Sequence, residues 1–228
     1  MQSLRRHWYS VGLVWAVIAI GWAMLGRLPT VQMILLLNFA TLTLHQFEEY
    51  GWPGGFPWIH NEIVAPSGGP GDRFPLNQNS ALFINTVSWV FCFMPVLFAD
   101  RLWLGLAMVL FTFGQLIYHG VVTNLKFKSI YNPGLAAVVL SHVPLAVWYL
   151  VEIYSNSKVT LSDWVLAVAY LGCFIGGVMQ LIGFKILAAK DSPYPFAPEE
   201  MERFDRRGHV ARLSNAGRRD KYDGASPY

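Results

Sequence analysis

The chain of 228 residues is 54% hydrophobic, 15% aromatic and only 14% charged, with a formal net charge of +3. So apolar a composition is typical of a polytopic membrane protein, excludes an ordinary soluble domain and gives no basis for a nucleic-acid partner. The two cysteines, Cys92 and Cys173, both lie in apolar runs, which excludes a metal site of the CxxC type and disfavours a disulfide framework.

Apolar runs long enough to cross a hydrocarbon core of about 30 Å predict six spanning helices. The first run is read as a retained span, because it is longer than the core of a signal peptide and no cleavage site follows it. The six predicted spans cover residues 8–25, 31–50, 81–99, 102–122, 133–153 and 161–189.

Local signals refine the last two spans. Asn132 and Pro133 predict the start of the fifth, since Asn is a favoured N-cap and Pro a favoured first helical residue. Gly172 and Gly176 have the spacing of small residues at a helix interface, so they predict a packing face on the sixth.

Two segments fall outside the predicted spans. Residues 51–79 form a long loop that is rich in Gly and Pro, which predicts irregular backbone over most of its length. The chain is polar from Asp191 onward and predicts an extended or disordered tail. The predicted organisation is therefore an all-α transmembrane helical bundle at 1–190 and a polar tail at 191–228.

The distribution of Lys and Arg predicts the orientation in the membrane. Six spans place both termini on one side, and fourteen of the 17 basic residues fall on that side. Only Arg27, Arg101 and Lys158 fall on the other. The positive-inside rule therefore predicts that both termini, the long loop and the tail are cytoplasmic, with the bundle in a bacterial inner membrane.

The second predicted span ends in three ionisable groups within five residues, His45, Glu48 and Glu49. On a helix these side chains fall within an arc of roughly 100°. Charged groups at membrane depth are costly, so they face the interior of a bundle and find partners there. A histidine and two carboxylates on one helical face form half of a metal site.

Polar residues of other predicted spans fall at the same depth. The second and fourth spans both end on the cytoplasmic side, and the third and fifth both begin there. The residues that this places near His45 are Asn85, Gln115, His119, Tyr131 and Asn132. We therefore expect a functional site in the cytoplasmic third of the membrane.

The types of these residues suggest their roles. His45 and Glu49, spaced i and i+4, are predicted to bind one metal ion together with His119. Glu48 is predicted to be the catalytic general base, or else a bridge to a second ion. Imidazole and carboxylate donors suit Zn or Fe, and the shortage of carboxylates favours a single ion. The predicted cofactor-binding residues around the ligands are Asn85, Gln115, Tyr131 and Asn132.

Two further histidines carry weaker signals. His142, mid-span beside Pro144, is interpreted as a structural, hydrogen-bonded histidine. His60 lies in the aromatic part of the long loop, where a contact with lipid headgroups and a ligand role are equally open.

The motif His45-x-x-Glu48-Glu49, then an inward-facing histidine, then Tyr131-Asn132-Pro133-Gly134-Leu135 resembles the HXXEE family of uncharacterised bacterial membrane proteins. The resemblance covers about residues 31–187. It implies an enzyme with polar residues inside a helical membrane bundle, and it specifies no reaction. The long loop is taken as particular to this chain, so His60 and Glu62 take no role from the family.

The predicted function is an integral-membrane, metal-dependent enzyme. Its substrate is expected to be hydrophobic or amphiphilic, such as a lipid, an isoprenoid or pigment, or an acyl compound. Hydrolysis by metal-activated water and oxidation at a non-haem iron both stay open. The alternative is a non-catalytic membrane subunit of a larger complex that binds pigment or haem. The expected partners are membrane lipid, a small hydrophobic substrate and, in the alternative, another membrane protein.

Overall fold

The computed structural model describes residues 2–201, and within that range the chain is helical and contains no strand. Within this range, six long helices and two short ones are joined by short connections and one long loop. The helices are α1 (Gln2–Leu25), α2 (Thr30–Tyr50), α3 (Phe56–Trp58, continued by a π-helical turn at Ile59–Val64), α4 (Gln78–Leu97), α5 (Leu102–Phe127), α6 (Leu135–Asn156), α7 (Leu161–Ile186) and α8 (Pro198–Met201). The all-α prediction is therefore confirmed.

Five of these helices, α1, α4, α5, α6 and α7, are long and apolar enough to cross a membrane. The remaining predicted span, α2, has 21 residues and so a sufficient length, but polar residues interrupt its apolar run. Asn38, Thr43 and His45 of this helix are each 4% exposed or less. The polar side chains of α2 therefore lie inside the protein, where α1, α4 and α6 surround it.

Capping residues set two helix starts. Asn77 and Thr160 each accept hydrogen bonds from the first turn of α4 and α7 and complete a capping box there. The predicted start of α6 at Asn132-Pro133 is wrong, because the helix begins at Leu135 with Gly134 as its N-cap. The side chain of Asn132 is engaged elsewhere, as described below.

Three of the histidines lie in π-helical stretches. These stretches are Ile59–Val64 after α3, Leu116–Thr123 within α5 and Val138–His142 within α6, and they contain His60, His119 and His142. A π-helical turn redirects the side chains that follow it and is frequent at functional sites.

Helix α7 changes its partner along its length. Its first half packs on α5, where the ring centroids of Trp103 and Tyr170 are 5.6 Å apart. Its second half packs on α4, where Gly183 lies directly against Ile84. The predicted packing face at Gly172 and Gly176 is not used within the described chain, because a Cβ at either position would meet no atom within 4 Å.

The long loop folds against the end of the bundle at which α2 ends and α4 begins. The amide of Asn61 closes the loop by donating to the carbonyl oxygens of Gly71 and Leu76. Phe196, beyond α7, is buried, and its N–H donates to the carbonyl of Asp72. The predicted tail is therefore described only as far as Met201, and the prediction for its remainder lies outside the described residues.

The packing of α5 on α6 gives a test of the fold. A Cβ on Gly105 would overlap the Tyr149 hydroxyl, which donates a hydrogen bond to the carbonyl of Leu102. We expect Gly105→Ala to lower the free energy of unfolding by about 1–3 kcal/mol through overpacking. Thermal unfolding in mild detergent measures it.

Gly21→Ala is the matched control, because a Cβ on Gly21 would meet no described atom within 4 Å. Alanine is the better helix former, so this variant should be as stable as the wild type or slightly more stable. Equal melting temperatures for the two variants would contradict the described α5–α6 contact.

Candidate metal centre

Three metal-donor side chains meet inside the bundle. His45 and Glu49 come from consecutive turns of α2, and His119 comes from the π-helical stretch of α5. All three are buried, and one donor atom from each lies within 4.8 Å of the others. The sequence predicted these three as the ligands of one ion, and their grouping could hold one.

The spacing of the donors resembles that of ligands around an ion. The Oε1 atom of Glu49 lies 3.6 Å from His45 Nε2 and 3.4 Å from His119 Nε2. A charge-assisted hydrogen bond between these groups would be about 2.7–2.9 Å long. Three donors at about 2.0–2.2 Å from a tetrahedral ion are about 3.3–3.6 Å apart. The observed separations therefore fit a shared ion better than direct hydrogen bonds.

The other nitrogen of each imidazole is fixed by an oxygen acceptor. His45 Nδ1 lies 2.9 Å from the carbonyl oxygen of Gly134, and His119 Nδ1 lies 2.7 Å from Asn132 Oδ1. A carbonyl oxygen can only accept, so the proton of each ring is on Nδ1. Both Nε2 lone pairs are then free to bind an ion, and metal-binding histidines are usually held by such hydrogen bonds.

The orientation of the Asn132 amide follows from its remaining contacts. Its nitrogen donates to the backbone carbonyl of His119 and to Asn124 Oδ1, both at 2.8 Å. Its oxygen is therefore the atom that faces His119 Nδ1. Asn132, predicted as a cofactor-binding residue, contacts the candidate ligand and fixes its ring.

Gly134 approaches the two imidazoles so closely that no larger residue fits. A Cβ there would lie 2.7 Å from Cε1 of both His45 and His119. Its φ of +100° is also in the region that L side chains rarely adopt. The turn before α6 can therefore offer its carbonyl to His45 only because this residue is glycine.

The Glu48 carboxylate does not belong to this group of three donors, although Glu48 is part of the same His45-x-x-Glu48-Glu49 motif. Its carboxylate accepts hydrogen bonds from the N–H groups of Ala136 and Ala137, at 3.1 and 2.8 Å. It also accepts one from the Tyr131 hydroxyl at 2.7 Å. Burial and the Glu48 carboxylate raise the pKa of Tyr131, so this hydroxyl stays protonated and donates. Glu48 therefore binds the positive N-terminal end of α6.

His142, which the sequence predicted to be a structural histidine, lies near the site. Its ring lies 5.9 Å from that of His45, and its Nδ1 lies 3.0 Å from Asn38 Oδ1. Its Nε2 is buried and has no hydrogen-bond partner among residues 2–201. The contact with Asn38 agrees with the structural, hydrogen-bonded role predicted for His142, and the group of three donors does not include this residue. The sequence signals for this contact are the mid-span position of His142 and the polar stripe of α2 that includes Asn38.

A cavity of about 250 Å³ adjoins the candidate ligands. His45, Glu49 and His119 line it together with Asn85 and Gln115, two of the predicted cofactor-binding residues. Most of its remaining wall is apolar or aromatic. The residues forming that wall include Leu42, Phe56, Ile84, Phe111, Phe174, Met179 and Phe184.

The long loop supplies one side of this cavity. Phe56 of α3 packs against the ring of His119, with centroids 5.9 Å apart. His60 also lines the cavity, with its Nδ1 2.7 Å from the Tyr118 hydroxyl. Burial lowers the pKa of His60 to about 4, so its imidazole is neutral at pH 7. His60 is thus a neutral wall residue, and the donor cluster does not include it.

The contacts of Glu48 predict a loss of stability on truncation. Glu48→Ala removes the acceptor of two N–H groups at the start of α6, so we expect the free energy of unfolding to fall by about 1–3 kcal/mol. Thermal unfolding of detergent-purified protein measures this change. Glu152→Ala is the control, because among residues 2–201 the Glu152 side chain bonds only the exposed Asn156, and its loss should cost less than about 0.5 kcal/mol. An unchanged melting temperature for Glu48→Ala would show that this carboxylate does not hold α6.

Residues 36–149 match the family described as "Protein of unknown function with HXXEE motif". The match includes all three motif residues, His45, Glu48 and Glu49, as well as His119 and the turn before α6. No curated protein and no solved structure matches the chain. Because the match covers half of the sequence, the chain belongs to the HXXEE family, whose function is unknown.

Proposed function

We propose that this protein is an integral-membrane, metal-dependent enzyme that acts on a hydrophobic or amphiphilic substrate. The observation that carries the proposal is the spacing of Glu49 Oε1 from the two Nε2 atoms, 3.6 and 3.4 Å, at the wall of an apolar cavity. A donor set that opens on a cavity leaves a position for a substrate, as catalytic metal sites do and closed structural sites do not.

Two histidines and one carboxylate suit either Zn or Fe. A zinc ion there would activate water for hydrolysis, and a ferrous ion would support oxidation. The protein's own contribution is the same in both cases. His45, Glu49 and His119 would hold the ion, Asn132 and Gly134 would fix the two rings, and Phe56 would help to exclude bulk water.

Two titratable residues near the candidate ligands, Glu48 and His142, are considered for proton transfer. Glu48 as general base stays a prediction, and its carboxylate already accepts three hydrogen bonds. His142 has a buried Nε2 that bonds no other described residue. Neither Glu48 nor His142 is among the residues that line the cavity, so proton transfer to either would need a water between it and the bound molecule.

The alternative function, a pigment- or haem-binding subunit, has less support from the geometry. The rings of His45 and His119 are perpendicular, 4.9 Å apart, and share one carboxylate oxygen. A flat tetrapyrrole would not fit between such groups, whereas a single ion would. An absorption spectrum of the purified protein tests this alternative.

The His45→Ala variant is the direct test of the metal centre. A site with about three protein ligands loses most of its affinity when one is removed, by more than about 100-fold. We expect about one Zn or Fe per wild-type chain and almost none in the variant, measured by elemental analysis of folded, detergent-purified protein.

His7→Ala is the control for this variant, because His7 is exposed near the start of α1. It should keep the metal content of the wild type. Wild-type protein that takes up neither Zn(II) nor Fe(II), or a His45→Ala variant that keeps its full metal content, would refute the proposal.

We further propose that α2 also crosses the membrane, which gives six spans with both termini cytoplasmic in a bacterial inner membrane. The long helices on either side of α2 along the chain, α1 and α4, are both candidate spans. The bias of fourteen basic residues against three supports this orientation.

Reporter fusions test the topology. A fusion after Lys158 should report the outer compartment, and a fusion at the C terminus should report the cytoplasm. The same compartment at both positions would contradict α7 as a span, and the reverse pattern would contradict the orientation.

A further inference from the structure

The cavity beside the candidate ligands is open on one side. Gly114 of α5 and Gln180 of α7 both line it, and both are exposed on the outer surface of the bundle. The deep wall, in contrast, is formed by residues such as Leu42 and His45 that are at most 2% exposed. The cavity therefore reaches from the candidate metal centre to the surface between α5 and α7.

The opening follows from the path of α7. Trp103 and Tyr170 join α5 to the first half of α7, with ring centroids 5.6 Å apart. From there α7 turns to α4, where Gly183 packs on Ile84. A gap thus forms between α5 and the second half of α7. Both helices are candidate spans, so this gap faces lipid if the chain is inserted as proposed.

Several glycines leave open space along α5 and α7. A Cβ on Gly114 of α5, or on Gly172, Gly176 or Gly177 of α7, would meet no atom of the described chain within 4 Å. The glycines alone would identify no site, since small residues also mediate contacts between helices. Of these four glycines, Gly114 lines the cavity whose inner end holds three buried donor groups, and it therefore marks the entrance on α5.

The lining changes from apolar to polar along the cavity. Phe111, Phe174 and Met179 line the same cavity as the exposed Gly114 and Gln180, and they offer an apolar surface for a hydrocarbon chain. Glu49 is the one acidic side chain among the described lining residues, and none of them is Lys or Arg. A divalent ion there would leave a net charge of about +1 in apolar surroundings, which favours an anionic ligand.

We propose that the cavity admits a single-chain amphiphile with an oxyanion head, which enters sideways from the lipid between α5 and α7. The head meets the centre formed by His45, Glu49 and His119, and the hydrocarbon chain lies along the aromatic wall. This inference rests on the proposed metal-dependent function and adds the class of substrate and its route. A carboxylate and a phosphate head share the required chemistry.

Gly114→Trp is the test of the route, because the new side chain would occupy the opening without contacting a ligand. Gly21→Trp is the matched control, since Gly21 of α1 also has open space around it. Both variants are prepared with Zn(II) in nanodiscs of a neutral phospholipid. Binding of palmitate and of hexadecyl phosphate is measured, together with zinc per chain.

We expect both variants to keep their zinc. Of the two, only Gly114→Trp should weaken binding of the preferred amphiphile, by about tenfold or more, because part of the hydrocarbon chain loses its apolar contact with the cavity. The tighter of the two amphiphiles identifies the head group. Gln180→Trp narrows the same opening from the side of α7 and should also weaken binding of the amphiphile. With two independent variants, a folding defect in one of them does not decide the outcome.

Three outcomes would overturn the inference. Equal binding to the wild type and to both opening variants, with zinc retained, would refute the route and leave the proposed function standing. Binding of hexadecanol as tight as that of either anion would refute the oxyanion head. Wild-type protein that binds an amphiphile but no zinc or iron would refute the proposed function itself and the role of the centre in binding.

Discussion

The hydrogen bond from His45 Nδ1 to the carbonyl oxygen of Gly134 is the contact on which the geometry of the site depends. It joins α2 to the turn before α6 and fixes the proton of His45 on the nitrogen that faces away from Glu49. The turn can come this close only at a glycine with φ of +100°, since a Cβ would overlap both imidazoles. Asn132, two residues earlier, fixes His119 in the same way. One short segment of chain thus orients both rings toward one carboxylate.

The neighbouring carboxylates of the motif have different tasks because consecutive residues on a helix point about 100° apart. Glu49 faces the two imidazoles, whereas Glu48 faces the first N–H groups of α6. The second contact supports the first, because a carboxylate that holds the start of α6 also holds the turn containing Gly134. The HXXEE motif can therefore be understood as two candidate ligands and one anchor. A metal site whose ligands are held by hydrogen bonds to a rigid frame needs little rearrangement to bind an ion.

The sequence predicted the helical bundle and the meeting of His45, Glu49 and His119, because apolar runs define the helices and polar groups inside such a bundle must find one another. It assigned Glu49 as a ligand and Glu48 as a general base, but it could not show that Glu48 faces the start of α6, since that depends on which helix lies against each side of α2. Asn132 was predicted to cap a helix, as its residue type favours. Its side chain instead bonds His119, and Gly134 is the N-cap of α6. The predicted packing face at Gly172 and Gly176 has no partner among the described residues, because the spacing of small residues does not specify which helix packs on them. His142 was predicted to be a structural, hydrogen-bonded histidine, and its contact with Asn38 agrees with that prediction.

The low apolar content of α2 is explained by its position in the bundle. A helix in contact with lipid must be apolar over most of its surface, as α7 is, whereas a helix enclosed by others can present polar groups inward at lower cost. The polar stripe of α2 runs from Asn38 to Glu49, and its members bond or approach residues of α5, the turn before α6, and α6 itself. The mean hydropathy of such a helix is only moderate even if it crosses the whole membrane. Its hydropathy reflects its enclosure by α1, α4 and α6, and the residues that lower it are the ones that form the site.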